Sequence, residues 1–267
     1  MSPSNPRAAV RATALLAVIA ALLPFYLVAF PLGARARRLF SYPFFRSCLV
    51  LTGLSLRISG APAGGKGILY VANHVSYMDI PVLASLIDGC FIAKSEVRGW
   101  PLFGLLAILG RTVFVSRQTS NLRRERVEIA RRLARGESVF LFPEGSSSNG
   151  AGVLPFRSGL FSAVQLKEGA DTIVQPLSIV YGPMLGNRPC LGQSERDRYA
   201  WYGEGELLPH LWRLFGSKEK IVVLVAFHSP RQSRHFSDRR ALSQWAEQSV
   251  SQGIHQALSG PNSDRHE

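Results

Sequence analysis

The sequence predicts an α/β protein in which a mostly parallel sheet is flanked by helices and preceded by an N-terminal hydrophobic membrane-anchoring helix or two-helix hairpin. Two observations lead to this fold class. Residues 12–32 form an apolar run without a charge. From residue 67 onward, short β-rich runs alternate with helical stretches, which is typical of a sheet covered by helices on both faces. The chain has 267 residues, enough to bury a substantial core.

The apolar run of residues 12–32 is close to the ~20 residues needed to cross a bilayer core. Arg7 and Arg11 precede it, and three arginines follow it. A cleaved signal peptide is disfavoured, because the run is longer than the usual apolar region of ~7–15 residues and arginines follow at once. A single span with the more basic flank inside and a hairpin lying in one leaflet both stay open, since Pro24 and Pro31 can bend the helix.

A second apolar stretch, Leu39–Ile58, is rich in aromatic residues but is broken by Pro43, Arg46 and Arg57. This pattern predicts an interfacial or half-buried helix. The chain then divides into three expected segments: a membrane-anchoring segment (1–58), a folded domain (59–258) and a disordered tail (259–267).

The charge balance of the chain is strongly basic, with a formal net charge of +13. Eight basic residues precede the first acidic residue, Asp79. Such a chain meets an anionic partner, either nucleic acid or a phospholipid surface. The apolar N-terminus favours the phospholipid bilayer, and the sequence carries no motif that reads nucleic acid. Three scattered cysteines without a CxxC pair exclude a disulfide framework and a zinc ribbon and fit a reducing compartment.

The folded domain begins with β-rich runs that predict six strands: Ile68–Ala72, Phe91–Ala93, Thr112–Val115, Val139–Phe142, Ile173–Ile179 and Ile221–Phe227. The clearest helix between them is Asn121–Arg135, which is apolar on one side and stopped by Gly136. Its arginines are interpreted as a solvated face near an anionic membrane. Residues 182–216, rich in glycine, proline and aromatic residues, form a long excursion from the sheet.

The first candidate for chemistry lies where the first of these strands ends, because α/β sheets place functional groups at strand ends. His74 follows this strand directly, and Asp79 comes five residues later. The two side chains can meet if His74 lies in a turn and Asp79 in the first turn of a helix. Ser76 and Asp79 also form a possible capping pair, which would give Asp79 a purely structural role.

The second candidate is the turn after the strand Val139–Phe142, which reads Pro143-Glu144-Gly145 and then offers the hydroxyls of Ser146, Ser147 and Ser148. Such a turn can hold a phosphate or polar head group through hydroxyls and backbone N–H groups, or it is an ordinary loop. Arg117, at the end of another strand, is either an anion clamp or a surface charge.

Together these motifs resemble the PlsC-like glycerolipid acyltransferases, in order and in spacing. The family's NHxxxxD motif is read here at residues 73–79, and its strand ending in arginine at residues 114–117. Its FPEGTRS motif appears as FPEGSSS at residues 142–148, and its strand with a central proline at residues 174–177. The resemblance covers about residues 67–227.

The resemblance implies acyl transfer from a thioester to a lysolipid hydroxyl, with His74 as general base and Asp79 orienting it. It implies neither a metal nor a cofactor; the acyl donor is acyl-CoA or acyl-carrier protein. The sequence has no GxSxG motif, which argues against a serine lipase. Acceptor binding is expected from four residues of the FPEGSSS motif and from three basic residues: Glu144, Gly145, Ser146, Ser147, Arg117, Lys94 and Arg157.

One departure from the family pattern concerns the acceptor. Ser147 stands where the family has an arginine that faces the acceptor phosphate. Arg157 can compensate if its loop folds back, or it forms a surface salt bridge. The first expectation is 1-acyl-sn-glycerol-3-phosphate as acceptor, giving phosphatidic acid at a bacterial inner membrane, with the domain on the cytoplasmic face. A lyso-ornithine lipid is the alternative acceptor, and a non-catalytic membrane lipid-binding protein is the alternative of another class.

Overall fold

The structure is a computed structural model that describes residues 4–116, 122–166, 171–185, 190–203 and 205–259. Within these residues, eight strands form one sheet. They are β1 (Leu54–Ser59), β2 (Leu69–Ala72), β3 (Cys90–Lys94), β4 (Val113–Val115), β5 (Val139–Leu141), β6 (Ile173–Tyr181), β7 (Ile221–Phe227) and β8 (Arg231–Gln232). All six predicted strands are present, and their ends differ from the prediction by at most two residues.

The sheet is mostly parallel, as predicted. Its strand order is β1–β7–β6–β2–β5–β3–β4, and β8 pairs with the start of β6 beside this path. Only β7 and β8 run antiparallel to their neighbour β6. Every residue of β2 and β5 is buried, as expected of strands that are covered on both faces. Because β2, β3 and β5 are parallel, the loops that follow them meet at one edge of the sheet.

Helices cover both faces of the sheet. They are α1 (Asn5–Ala29), α2 (Ala34–Thr52), α3 (Asp79–Ala84), α4 (Phe103–Leu109), α5 (Leu122–Ala134), α6 (Gln193–Arg196), α7 (Leu207–Gly216) and α8 (Arg239–Ser259). One core packs α2, α3 and α7 on the sheet, and the other packs α5, α8 and the 3-10 segment Ser158–Gln165. Ser259, expected to open the disordered tail, is the last residue of α8, and the rest of that tail lies outside the described residues.

The apolar N-terminal run forms α1, which continues into a 3-10 turn so that Asn5–Leu32 is one helix long and apolar enough to cross a membrane. Only 6% of its most apolar window is buried. The chain reverses at Gly33, and α2 returns along α1, with Phe25 stacked on Phe40 at 5.8 Å. The two helices therefore form a hairpin with a large exposed apolar surface.

The hairpin is tied to the domain at both ends of α1. Near its start, Arg11 Nη1 donates to the carbonyl oxygens of Phe215 and Ser217 at the end of α7, at 3.0 and 2.9 Å. Near its end, the Tyr26 hydroxyl donates to the Leu109 carbonyl at the end of α4, at 2.7 Å. Helix α1 thus lies along the domain instead of projecting away from it.

The predicted half-buried helix over Leu39–Ile58 is correct only up to Thr52. Gly53 adopts the left-handed conformation, and a Cβ there would come within 2.6 Å of the Glu219 carbonyl oxygen. Residues 54–59 then form β1, which pairs in parallel with β7. The alternation of Leu54, Leu56 and Ile58 is a strand pattern that the continuous apolar run concealed. The expected boundary at residue 58 therefore falls inside a strand of the sheet.

The turn into β2 depends on Gly67, which gives a prediction on stability. Gly67 has φ +68°, and a Cβ there would overlap the carbonyl oxygen of Leu133 in α5. Gly64, in the same loop, has nothing within 4 Å of such a Cβ. We expect Gly67→Ala to lower Tm by roughly 4 °C or more, while Gly64→Ala changes it by less than about 2 °C. Equal Tm values for the two variants would contradict the close packing at Gly67.

Candidate active site

The turn that carries His74 begins at Asn73, directly after β2. The Asn73 side chain is fully buried and pairs with the backbone of Ile179 in β6. Its Nδ2 donates to the Ile179 carbonyl at 2.9 Å, and its Oδ1 accepts from the Ile179 N–H at 2.8 Å. This pair of bonds extends the parallel β2–β6 ladder by one residue and fixes the point at which the chain turns toward His74.

His74 and Asp79 meet as the spacing predicted, with His74 in the turn and Asp79 at the start of α3. His74 Nδ1 lies 2.8 Å from Asp79 Oδ2, which also accepts the backbone N–H groups of Val75 and Ser76 at 2.8 and 3.0 Å. Because an ionised carboxylate only accepts hydrogen bonds, the His74 proton sits on Nδ1. Nε2 is then left with a lone pair to accept a proton.

The second oxygen of Asp79 is held by a residue that the sequence did not indicate. Tyr181, at the end of β6, donates its hydroxyl to Asp79 Oδ1 at 2.8 Å. Burial, and then the adjacent Asp79 carboxylate, raises the pKa of Tyr181 well above its ordinary value, so the hydroxyl keeps its proton. Asp79 is completely buried, and four donors satisfy it.

The His74 ring is also held by packing. Phe142, which follows β5, stacks on it with ring centroids 4.2 Å apart and planes 18° from parallel. The His74 carbonyl accepts the N–H of Ser148 at 2.8 Å. The two motif loops therefore brace each other around the imidazole, whose side chain is 21% exposed.

Glu144, predicted to bind the acceptor, has a different position. Its carboxylate is 2% exposed and accepts the N–H groups of His74 and Leu154 at 2.9 and 3.1 Å, so both oxygens point into the loops. The carboxylate therefore provides hydrogen-bond acceptors for two backbone N–H groups of the loops. In the structure the Glu144 carboxylate supports the His74 turn, and its expected role in acceptor binding stays a prediction.

Gly145 and Arg157 come together, because the loop after the second motif folds back. Gly145 has φ +72°, and a Cβ there would lie 3.0 Å from Cζ and Nε of Arg157. The Arg157 N–H donates to the Pro143 carbonyl at 2.9 Å. Glycine at position 145 thus permits both the turn and the approach of an exposed guanidinium.

Ser147, which replaces the family's arginine, is engaged by a distant segment. Its hydroxyl donates to the carbonyl oxygen of Trp201, and the Trp201 N–H donates to the Val75 carbonyl at 2.9 Å. The backbone of Trp201 therefore links the two motif loops. The sequence predicted that residues 182–216 leave the sheet in a long excursion, but it carried no local signal for the contact between Trp201 and Ser147.

A cleft of about 1,820 Å³ opens in front of His74. Its polar wall carries six of the predicted site residues: His74, Lys94, Gly145, Ser146, Ser147 and Arg157. Its apolar wall is formed largely by the N-terminal hairpin, for example by Leu15, Ile19 and Phe44. Arg117 lies outside the described residues, so its anion-binding role stays a prediction.

Known proteins are similar to this chain in sequence and in fold. The profile of the family described as Acyltransferase matches residues 56–180. A lyso-ornithine lipid O-acyltransferase of Brucella abortus is 37% identical over 252 residues, 92% of this chain and 93% of that protein. A 1-acyl-sn-glycerol-3-phosphate acyltransferase of Neisseria gonorrhoeae is 34% identical over 71% of this chain and 70% of that protein. The crystal structure of PlsC, the 1-acyl-sn-glycerophosphate acyltransferase of Thermotoga maritima, has the same fold: TM-score 0.58, 23% identity, 95% of this chain and 100% of that chain covered.

The buried Glu144 gives a prediction on pH. Burial raises its pKa from 4.5 to about 7, against the opposing effect of the His74 and Leu154 N–H groups. Because the pKa of Glu144 is raised in the folded state, its contribution to stability is fully present below about pH 4.5 and is lost as the pH rises through about 7. We expect Glu144→Gln to remove this pH dependence, which amounts to up to about 3 kcal/mol in the free energy of unfolding. The measurement is a series of denaturant unfolding curves recorded from pH 5 to 8.

The control for this experiment is Glu128→Gln, which changes a half-exposed glutamate of α5. Its free energy of unfolding should change with pH as that of the unaltered protein does. Parallel pH profiles for Glu144→Gln and the unaltered protein would contradict the buried, ionisable position of Glu144.

Proposed function

This chain belongs to the PlsC-type acyltransferase family, and on that premise we propose that it moves an acyl group from a thioester to the hydroxyl of a lysolipid at a membrane surface. The observation that carries the proposal is the contact of His74, which lines the cleft, with the buried Asp79, because this contact uses Nδ1 and leaves Nε2 to act as a base. Without a base so placed, the same cleft would suit a protein that only binds lipids.

The proposed reaction needs one proton transfer in each direction. His74 Nε2 takes the proton of the lysolipid hydroxyl as its oxygen attacks the thioester carbonyl carbon. Asp79 stabilises the imidazolium that forms. The carbon–sulfur bond then breaks, and the imidazolium returns the proton to the departing thiolate. Because a thioester is already activated, no acyl-enzyme is required, and acyl-CoA and acyl-carrier protein both serve as donors in principle.

For the acceptor we place a lyso-ornithine lipid first, whereas the sequence alone favoured 1-acyl-sn-glycerol-3-phosphate. The turn at residues 146–148 offers hydroxyls in place of a cation, and that of Ser147 is already bonded to Trp201. The Brucella abortus relative, similar over nearly the whole chain, is named for this acceptor. Arg157 and Lys94 supply positive charge for the ornithine carboxylate.

The second candidate acceptor is 1-acyl-sn-glycerol-3-phosphate. The exposed Arg157 guanidinium beside Gly145 favours it, because a phosphomonoester gains a charge-assisted contact there. The Neisseria gonorrhoeae relative carries the corresponding name.

The N-terminal hairpin is the proposed membrane contact, lying in one leaflet of the inner membrane with the domain on the cytoplasmic face. Since α1 is bonded to α7 near one end and to α4 near the other, a spanning α1 would draw both helices into the bilayer. Large apolar side chains cover its outer surface, among them Phe25, Val28, Leu32 and Leu39. The cleft beneath the hairpin then opens toward the acyl chains of the lipid.

The test of the proposed reaction uses the purified full-length protein in mixed micelles, with each donor and each acceptor offered separately. We expect transfer to lyso-ornithine lipid with the higher kcat/KM. His74→Ala and Asp79→Asn should each lower kcat by ~10²–10⁴-fold. Tyr181→Phe, which leaves the His74–Asp79 contact in place, should cost less than about tenfold.

Three outcomes of this test would count against the proposal. Near-full activity of His74→Ala would refute the base. A higher kcat/KM with 1-acyl-sn-glycerol-3-phosphate would reverse the order of the two acceptors. No transfer to either acceptor would favour the non-catalytic lipid-binding alternative.

Membrane attachment through apolar surface gives a further prediction. Salt at 1 M, which shortens the screening length to ~3 Å, should not release the protein from vesicles, because apolar burial at ~25 cal/mol per Å² is not screened. Combining Val28→Lys with Leu39→Lys should release it in a flotation assay. Ile58→Lys, on the exposed edge strand β1, is the control and should float as before. Release by salt alone would contradict an apolar anchor.

A further inference from the structure

Three aromatic side chains line the cleft beside the motif loops, and the reaction proposed above gives them no role. They are Tyr77, Trp100 and Trp201, here called the aromatic cluster. The ring centroids of Tyr77 and Trp201 lie 5.8 Å apart with the planes at 72°. Those of Trp100 and Trp201 lie 6.1 Å apart at 87°. Trp201 is therefore the shared member of two edge-to-face pairs.

The position of the cluster relative to the base is fixed by the backbone of Trp201. Its N–H donates to the carbonyl of Val75, the residue after His74, and its carbonyl accepts from Ser147. Both bonds use the main chain. Trp201 is thus hydrogen-bonded to the residue that follows His74. A substitution of the indole leaves both main-chain hydrogen bonds in place.

The hydroxyl of Tyr77 is hydrogen-bonded to a second histidine, His210. This hydroxyl donates to His210 Nδ1 at 2.9 Å, and His210 Nε2 donates to the Arg198 carbonyl at 3.1 Å. Burial, and then the charge of Arg213, lowers the pKa of His210 to about 4. The imidazole behind Tyr77 is therefore uncharged at neutral pH and does not repel a cation on the cleft side of the ring.

The chemistry of the cluster suits a cation. Aromatic faces attract ammonium groups, and tryptophan does so most strongly. Lys94 and Arg157, which line the same cleft, supply positive charge for a carboxylate of the same ligand.

We propose that the aromatic cluster binds the ammonium group of a zwitterionic lysolipid head group. This inference rests on the proposed acyl transfer at His74 and deepens it by naming the part of the cleft that selects the acceptor. An arginine at position 147 would favour a phosphate in the head group. Ser147 together with the aromatic cluster favours an ammonium group. A phosphomonoester head group carries no cation and gains nothing from the cluster.

The test measures binding separately from turnover, by calorimetric titration of the full-length His74→Ala protein in detergent micelles. The ligands are lyso-ornithine lipid, the same lipid with its side-chain amine acetylated, and 1-acyl-sn-glycerol-3-phosphate. We expect the charged lipid to bind about 3- to 30-fold more tightly than its acetylated form. Adding Trp201→Leu should reduce this ratio to nearly 1, and Trp201→Phe should leave it in between. Binding of 1-acyl-sn-glycerol-3-phosphate should change by less than about twofold.

The matched control is Tyr202→Leu, which removes the neighbouring aromatic ring, 44% exposed and outside the cleft lining. Its binding ratio should equal that of the parent. Equal binding of the charged and acetylated lipids by the parent would overturn the inference, as would an equal loss of affinity for both in Trp201→Leu. If the binding ratio holds but the unaltered enzyme transfers nothing to lyso-ornithine lipid, the proposed acceptor fails while the ammonium site stands.

Discussion

The carboxylate of Asp79 is the interaction on which the rest of the active site depends. A fully buried anion is very unfavourable unless donors surround it, and here four hydrogen bonds reach it from His74, Val75, Ser76 and Tyr181. The N–H groups of Val75 and Ser76 shape the turn. The bond from His74 fixes the orientation of its own imidazole, and the bond from Tyr181 ties the turn to β6. The same contacts that stabilise the charge therefore fix the direction in which Nε2 of His74 points.

A second buried carboxylate, Glu144, repeats this solution in the neighbouring loop. It accepts backbone N–H groups from His74 and Leu154, so it ties the second motif loop to the turn of the first. The parallel arrangement of β2 and β5 brings the two loops to one edge of the sheet. The chemistry thus requires little more of the fold than two adjacent parallel strands and a buried acid after each. The hairpin and the aromatic cluster line the open side of the cleft.

The sequence allowed prediction of those features that depend on near neighbours. The His74–Asp79 contact spans five residues and a single turn, so the spacing allowed it, and the strand patterns located both motif loops. Contacts between distant segments had no such signal. Tyr181 lies 102 residues from Asp79 and Trp201 lies 54 residues from Ser147, and nothing in the local composition pairs them. The burial of Glu144 had no local signal either, because it depends on loops that fold over this residue from elsewhere. Strand β1 was missed because its alternating residues follow an apolar helix without a break in hydrophobicity.

The central claim is that Asp79 holds His74 in the tautomer protonated on Nδ1, with Nε2 free to act as the base. The most direct measurement is ¹⁵N NMR of the full-length protein labelled in its histidine imidazoles, with the His74 signals identified by their loss in His74→Gln. We expect neutral His74 to show a protonated Nδ1 and an unprotonated Nε2, and we expect Asp79→Asn to weaken that preference. A neutral His74 protonated on Nε2 in the unaltered protein would contradict the account.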